Sequence, residues 1–205
     1  MTLILMRHGA TEWNLQGRFN SRTELPLSTG GISSVRAAAV RLARLPISAI
    51  YCSPALRASE TAALVQAQLP GAVPVQQLDD LREMDFGDYE GRTRLELQAQ
   101  PETCERYAAW FDPDGAGLVP PGGESWPEAS RRAQRVLGEL QPITGIALVV
   151  GHGYLLRLML MAALGFGPPQ AIRRLRLHNG HCSVISWSDG QWRLHSHNSH
   201  EAVQP

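Results

Sequence analysis

Three short apolar runs, residues 2–6, 47–52 and 146–150, each end abruptly in polar or glycine residues and give way to a loop or a helix. Runs of this length bounded by such breakers read as buried β-strands. Helical patterns lie between them. Apolar residues recur at 32, 35, 39, 42 and 45, with Pro46 as a stop. A second helix follows Ser53-Pro54, read as an N-cap with proline in the first turn, and ends near Leu69. Ser125-Trp126-Pro127-Glu128 is a capping box opening a helix to about Leu140, and another helix spans about 154–164. A further strand is expected at 73–78. Two more, at 182–187 and 191–195, flank the hairpin signal Asp189-Gly190. Residues 92–111 read as helical with a break near Pro101. Residues 9–31 and 79–91 read as loops, 112–123 as a glycine- and proline-rich flap, and 198–205 as a loose tail. Alternating strands and helices predict an α/β fold: three layers, α/β/α, with a mostly parallel central sheet. The 205 residues fit one domain, 1–205, with a helical and flap insertion at about 92–125.

Charge and composition narrow the chemistry. Nineteen basic residues balance nineteen acidic ones, so nothing draws the chain as a whole toward nucleic acid or an anionic membrane. Every basic residue is Arg. The absence of lysine excludes Schiff-base catalysis, a Walker-type phosphate loop and a protein-kinase site. Each fixed cation is instead a planar fork suited to carboxylate or phosphate. Three cysteines, Cys52, Cys104 and Cys182, form no CxxC pair, which points to a reducing, cytoplasmic setting. The longest apolar stretch, 155–166, contains Arg157 and is too short to span a membrane.

In open α/β sheets, ligands bind beyond the carboxyl ends of the strands. Arg7-His8-Gly9, Ser53 to Arg57, and His152-Gly153 all occupy such positions and can converge on one crevice. Glu83 sits in the acidic loop. A neutral imidazole is a fair nucleophile toward phosphorus near neutral pH. Two guanidinium groups can hold the transferring oxygens, and a second, protonated imidazole can add another donor. A carboxyl group can protonate the leaving oxygen and then deprotonate the attacking water. No metal and no cofactor are needed in such a scheme.

The series Leu5-Met6-Arg7-His8-Gly9-Ala10-Thr11-Glu12, Leu25-Pro26-Leu27-Ser28, Tyr51-Cys52-Ser53-Pro54-Ala55-Leu56-Arg57-Ala58, Leu81-Arg82-Glu83, Pro121-Gly122-Gly123-Glu124-Ser125 and Val150-Gly151-His152-Gly153 resembles the histidine phosphatase superfamily, in its phosphoglycerate mutase-like branch. The resemblance covers nearly the whole chain and keeps the motif order. It implies that His8 accepts the phosphoryl group, that Arg7, Arg57 and His152 bind it, and that Glu83 is the proton donor. It further implies that Asn14 assists in binding it; Asn20, Gly153 and Thr11 are expected to contact the substrate as well. The segment between Glu83 and His152 is shorter than in classical mutases of the branch and lacks their arginine-rich stretch. A phosphomonoester hydrolase is therefore expected over a phosphoglycerate mutase or a non-catalytic phosphate-binding protein. The partner implied is a small phosphorylated metabolite, and the assembly considered is a homodimer. Tyr107-Ala108-Ala109-Trp110 and Pro120 to Ser125 resemble one small-phosphatase subgroup of the family.

Four residues depart from the family pattern: Asn20-Ser21, Glu24 and Tyr154. They are expected at the leaving-group side, and Trp13 is expected at the pocket. The C-terminal His178, His181, His195, His197 and His200 read as solvated or hydrogen-bonded side chains, not metal ligands.

Overall fold

A computed structural model describes residues 1–112 and 119–200. Strands β1 (Thr2–Arg7), β2 (Ile47–Cys52), β3 (Val75–Gln77), β4 (Ile146–Gly151), β5 (Cys182–Ser188) and β6 (Gln191–Ser199) form one sheet in the order β3-β2-β4-β1-β5-β6. The β3–β2, β2–β4 and β4–β1 pairs are parallel, whereas β5 and β6 close the sheet antiparallel. The hairpin at Asp189-Gly190 has both residues at positive φ, 54° and 75°, as a type I′ turn requires.

Side chains alternate across the strands, so each face of the sheet needs its own helical cover. Leu3, Leu5, Ala147, Val149 and Ile185 pack under α6 (Trp126–Leu140) and α7 (Gly153–Leu164). Ile4, Met6, Leu148, Val150 and Val184 pack under α2 (Thr29–Leu42) and α3 (Leu56–Gln66). This is the expected α/β/α sandwich. Two short helices, α4 (Arg94–Gln98) and α5 (Pro101–Trp110), break at Pro101 as expected and bury Leu97, Tyr107 and Trp110 in the first of these cores.

The structure corrects several local expectations. Helix α2 starts at Thr29, not Ile32, and ends at Leu42; Ser28 caps it by accepting from Gly31 N–H. The Gly30-Gly31 pair read as a loop, but Gly31 is a packing residue: a Cβ there would lie 2.2 Å from the Ala10 carbonyl oxygen. Helix α3 has Ala55 as its N-cap and no side-chain cap on that residue. Glu24 performs the task from a distance, accepting from Leu56 N–H at 2.6 Å. Ser53 Oγ accepts from Ala55 N–H at 3.3 Å, which leaves its hydroxyl hydrogen for another partner. The loop after β1 contains a one-turn helix, α1 (Glu12–Leu15), closed by a Thr11–Asn14 capping box. Strand β3 is shorter than expected, and 79–91 contains two 3-10 turns, Asp79–Leu81 and Gly87–Tyr89. A third, Pro169–Arg174, was not foreseen. The supposed tail belongs to β6 as far as Ser199, while 201–205 lie outside the described residues. So do residues 113–118 of the expected flap.

Candidate active site

Strands β1 and β4 are neighbours in register, with Arg7 opposite Gly151. The residues that follow, His8 and His152, therefore emerge side by side at the carboxyl end of the sheet. Their ring centroids lie 5.1 Å apart, edge to face, and both rings are buried. His8 Nδ1 is 2.6 Å from the Gly9 carbonyl oxygen. A carbonyl can only accept, so Nδ1 carries the proton and Nε2 of the neutral ring holds the lone pair.

His152 Nε2 lies 2.8 Å from Ser53 Oγ at the end of β2. Its Nδ1 is buried with no hydrogen-bond partner among the described residues. When the Ser53 hydroxyl donates to Nε2, Nδ1 becomes the N–H, free to donate elsewhere.

Arg57, in the first turn of α3, is completely buried. Its terminal nitrogens donate to the carbonyls of Thr23 (3.1 Å) and Ser21 (3.0 Å). Arg7 donates to Leu177 O at 2.8 Å. Nε of both arginines, and both polar atoms of the Asn20 side chain, are buried without partners among the described residues. Gly153 permits the packing of Arg7: a Cβ there would lie 3.2 Å from the guanidinium carbon and Nε.

The Glu83 carboxylate accepts from Tyr154 N–H (3.0 Å), Leu155 N–H (3.0 Å) and Met84 N–H (2.9 Å), which ties the acidic loop to the first turn of α7. Asn14 Oδ1 accepts from Thr11 N–H and from Asn179 Nδ2, each at 3.1 Å.

These groups border a cavity of about 200 Å³ lined by Arg7, His8, Asn14, Gly17, Arg18, Phe19, Asn20, Glu83, Phe86, Gly153, Tyr154 and Arg157. Arg57 and His152 are buried inward of this wall. Thr11, expected at the substrate, is fully buried off the wall and acts as the N-cap that holds Asn14. Trp13 is also off the wall; its ring packs over Gly91. Glu24, expected near the leaving group, caps α3.

Burial, and then the adjacent Arg57 and Arg7, push the His8 imidazole well below its usual value. His152 moves the same way, through burial and then Arg57 and His8. Both shifts favour the neutral rings in the free site. Burial also lowers Arg7 to about 10, which leaves it charged at neutral pH.

Sequence reasoning missed the aromatic wall. Tyr154 stacks on Trp110 at 6.1 Å and 14° and meets Phe86 edge-on at 5.0 Å, while Arg157 sits 4.6 Å over the Tyr154 ring. Only the departure at Tyr154 hinted at it. The N-cap of α3 is Ala55, not Ser53; Ser53 Oγ accepts from Ala55 N–H and also meets His152, a contact with no local signal, like that of Asn179, which joins from the far end of the chain. Among the described residues no group of three His, Cys, Asp or Glu side chains is arranged to hold a metal ion. His195 and His197 instead hydrogen-bond to Ser186 and Ser183.

Residues 3–200 match the histidine phosphatase superfamily (branch 1), and the chain belongs to that superfamily. It is a phosphatase of the phosphohistidine type that characterises the family. It is 33% identical over 208 residues to the adenosylcobalamin/alpha-ribazole phosphatase of Salmonella typhimurium, covering all of both chains. The crystal structure of the alpha-ribazole phosphatase from Shigella flexneri superposes with a TM-score of 0.85 at 30% identity, over 100% of each chain. Phosphoserine phosphatase from Entamoeba histolytica, solved with 3-phosphoglyceric acid, gives a TM-score of 0.82 at 28% identity, over 97% of this chain and 96% of that one.

Proposed function

We propose that the chain hydrolyses a phosphomonoester in two steps at His8. The Nε2 lone pair forms a bond to phosphorus as the ester P–O bond breaks, and Glu83 protonates the departing oxygen. The Glu83 carboxylate then takes a proton from water, whose oxygen attacks phosphorus and breaks the N–P bond, releasing phosphate. Arg7, Arg57 and His152 Nδ1–H hold the equatorial oxygens through both steps. Asn14 and Asn20 add amide donors, and Gly153 leaves room for Arg7.

One observation carries this reading. Arg7 Nε, Arg57 Nε, His152 Nδ1 and Asn20 Nδ2 are buried polar donors without partners among the described residues, on residues gathered around His8. A buried unsatisfied donor costs about 1–3 kcal/mol, and a phosphoryl group is the acceptor that would satisfy this set. The substrate we infer is α-ribazole 5′-phosphate, the class named for the full-length relatives. The Tyr107–Trp110 and Pro120–Ser125 segments resemble that same subgroup. We read 1–205 as one domain with 92–125 as its insertion, which is supported by the core that Leu97 and Trp110 share with the sheet. Three free cysteines favour the cytoplasm. Among the described residues no helix is long and apolar enough to cross a membrane.

The decisive experiment is a rapid quench into alkali with phosphorus-labelled substrate, in the presence of EDTA. An acid-labile label on His8, absent in His8→Ala together with at least a roughly 10³-fold loss of turnover, is expected. Label that persists in His8→Ala refutes the mechanism. Kinetics on α-ribazole 5′-phosphate, phosphoserine and 3-phosphoglycerate then rank the leaving groups; a higher kcat/KM for either of the latter two removes the substrate assignment.

A further inference from the structure

Glu83 lies on a loop, not on a helix or strand, so something must fix where its carboxyl group points. Helix α6 supplies the fixture. Arg132 spreads its guanidinium across that loop, donating to the carbonyls of Asp80 (2.8 Å) and Arg82 (2.6 Å), with a longer contact to Glu83 O (3.4 Å). The other edge of the fork donates to both carboxylate oxygens of Glu124, at 3.0 and 2.5 Å. Glu124 in turn accepts from Asp85 N–H at 3.3 Å, and its own N–H donates to Asp85 O at 2.9 Å. One arginine thus grips the backbone before Glu83 directly and the backbone after it through Glu124. Both side chains are largely buried, 12% and 16% exposed. Neither lines the cavity that holds His8.

We infer that Arg132 and Glu124 form a clamp that positions Glu83 for proton transfer, acting on the leaving-group step and not on phosphoryl binding. The inference rests on the reading of Glu83 as the proton donor. A guanidinium can span two carbonyls and a carboxylate at once because its donors diverge in a plane; an ammonium cannot. Arg132→Lys therefore keeps the charge but loses the span.

A misplaced acid harms esters in proportion to how much their leaving oxygen needs a proton. The test compares kcat/KM for p-nitrophenyl phosphate, whose phenolate departs unaided, with ribose 5-phosphate, whose alkoxide does not. Glu83→Gln calibrates the split and should lose on the order of 10²-fold more on the alkyl ester. Arg132→Lys should lose about 10-fold more on the alkyl ester than on the aryl one, with Glu124→Gln moving in the same direction. A general packing defect would lower both esters alike. If Glu83→Gln itself shows no split, the proton-donor reading falls. If Glu83→Gln splits the esters while Arg132→Lys and Glu124→Gln reduce both equally, or neither, the clamp is refuted and the donor stands. Should Arg132→Lys show no cooperative melt, Glu124→Gln decides alone by the same comparison.

Discussion

His8 and His152 are held neutral inside the protein beside two guanidinium groups. On unfolding, each ring regains an ordinary affinity for protons. Below about pH 6.5 the unfolded chain therefore binds more protons than the folded one. Stability is fully present above that pH and is lost as pH falls toward the depressed folded values. Each histidine contributes a slope of up to about 1.4 kcal/mol per pH unit. The melting temperature of the free protein should therefore drop between pH 7 and pH 5, and His152→Gln should reduce that dependence. A melting temperature that is flat over this range contradicts the neutral pair. At the same scale, the residues legible in the sequence were those whose type announces their chemistry where a strand ends: Arg7, His8, Arg57 and His152. Ser53 was not legible, because Ser-Pro is equally a helix-start signature. Its bond to His152 exists only because β2 lies beside β4. Thr11, expected at the substrate from its place in the motif, spends its hydroxyl on the α1 cap.

Among the elements, α6 combines a core face with the clamp on the Glu83 loop. Its capping box, Ser125 with Glu128, is complete in both directions. Ser125→Ala should cost about 1 kcal/mol, a fall of roughly 2–4 °C in melting temperature for a chain of this size. A calorimetric melt measures it; an unchanged transition would mean that the helix start is held by Trp126 packing alone. This cap was readable because its partners lie three residues apart. The cap of α3 was not, since Glu24 reaches Leu56 from another part of the chain. Glycine misled in the same way at Gly31, where the requirement is close approach to Ala10 and not a turn. Local patterns thus located most strands and helices but not the ends that tertiary partners decide.

For the molecule as a whole, the site is a set of charges and donors already assembled, several of them without an acceptor among the described residues. Orthovanadate, which adopts the five-coordinate geometry of phosphoryl transfer, should bind the folded chain alone. At 100 times its dissociation constant it adds about 2.7 kcal/mol, or roughly 5–10 °C in melting temperature. Thermal-shift measurements should lose most of this gain in His8→Ala; an equal gain in that variant would put the anion elsewhere. The seam between β1 and β4 has a kinetic corollary. One half of the reactive pair comes from the start of the chain and the other from its last third, and only the pairing of Arg7 with Gly151 makes them neighbours. A register slip of one residue would turn one ring away from the other. During refolding, catalytic competence cannot run ahead of this central pairing, so a chromogenic ester serves as a stopwatch for closure of the middle of the sheet.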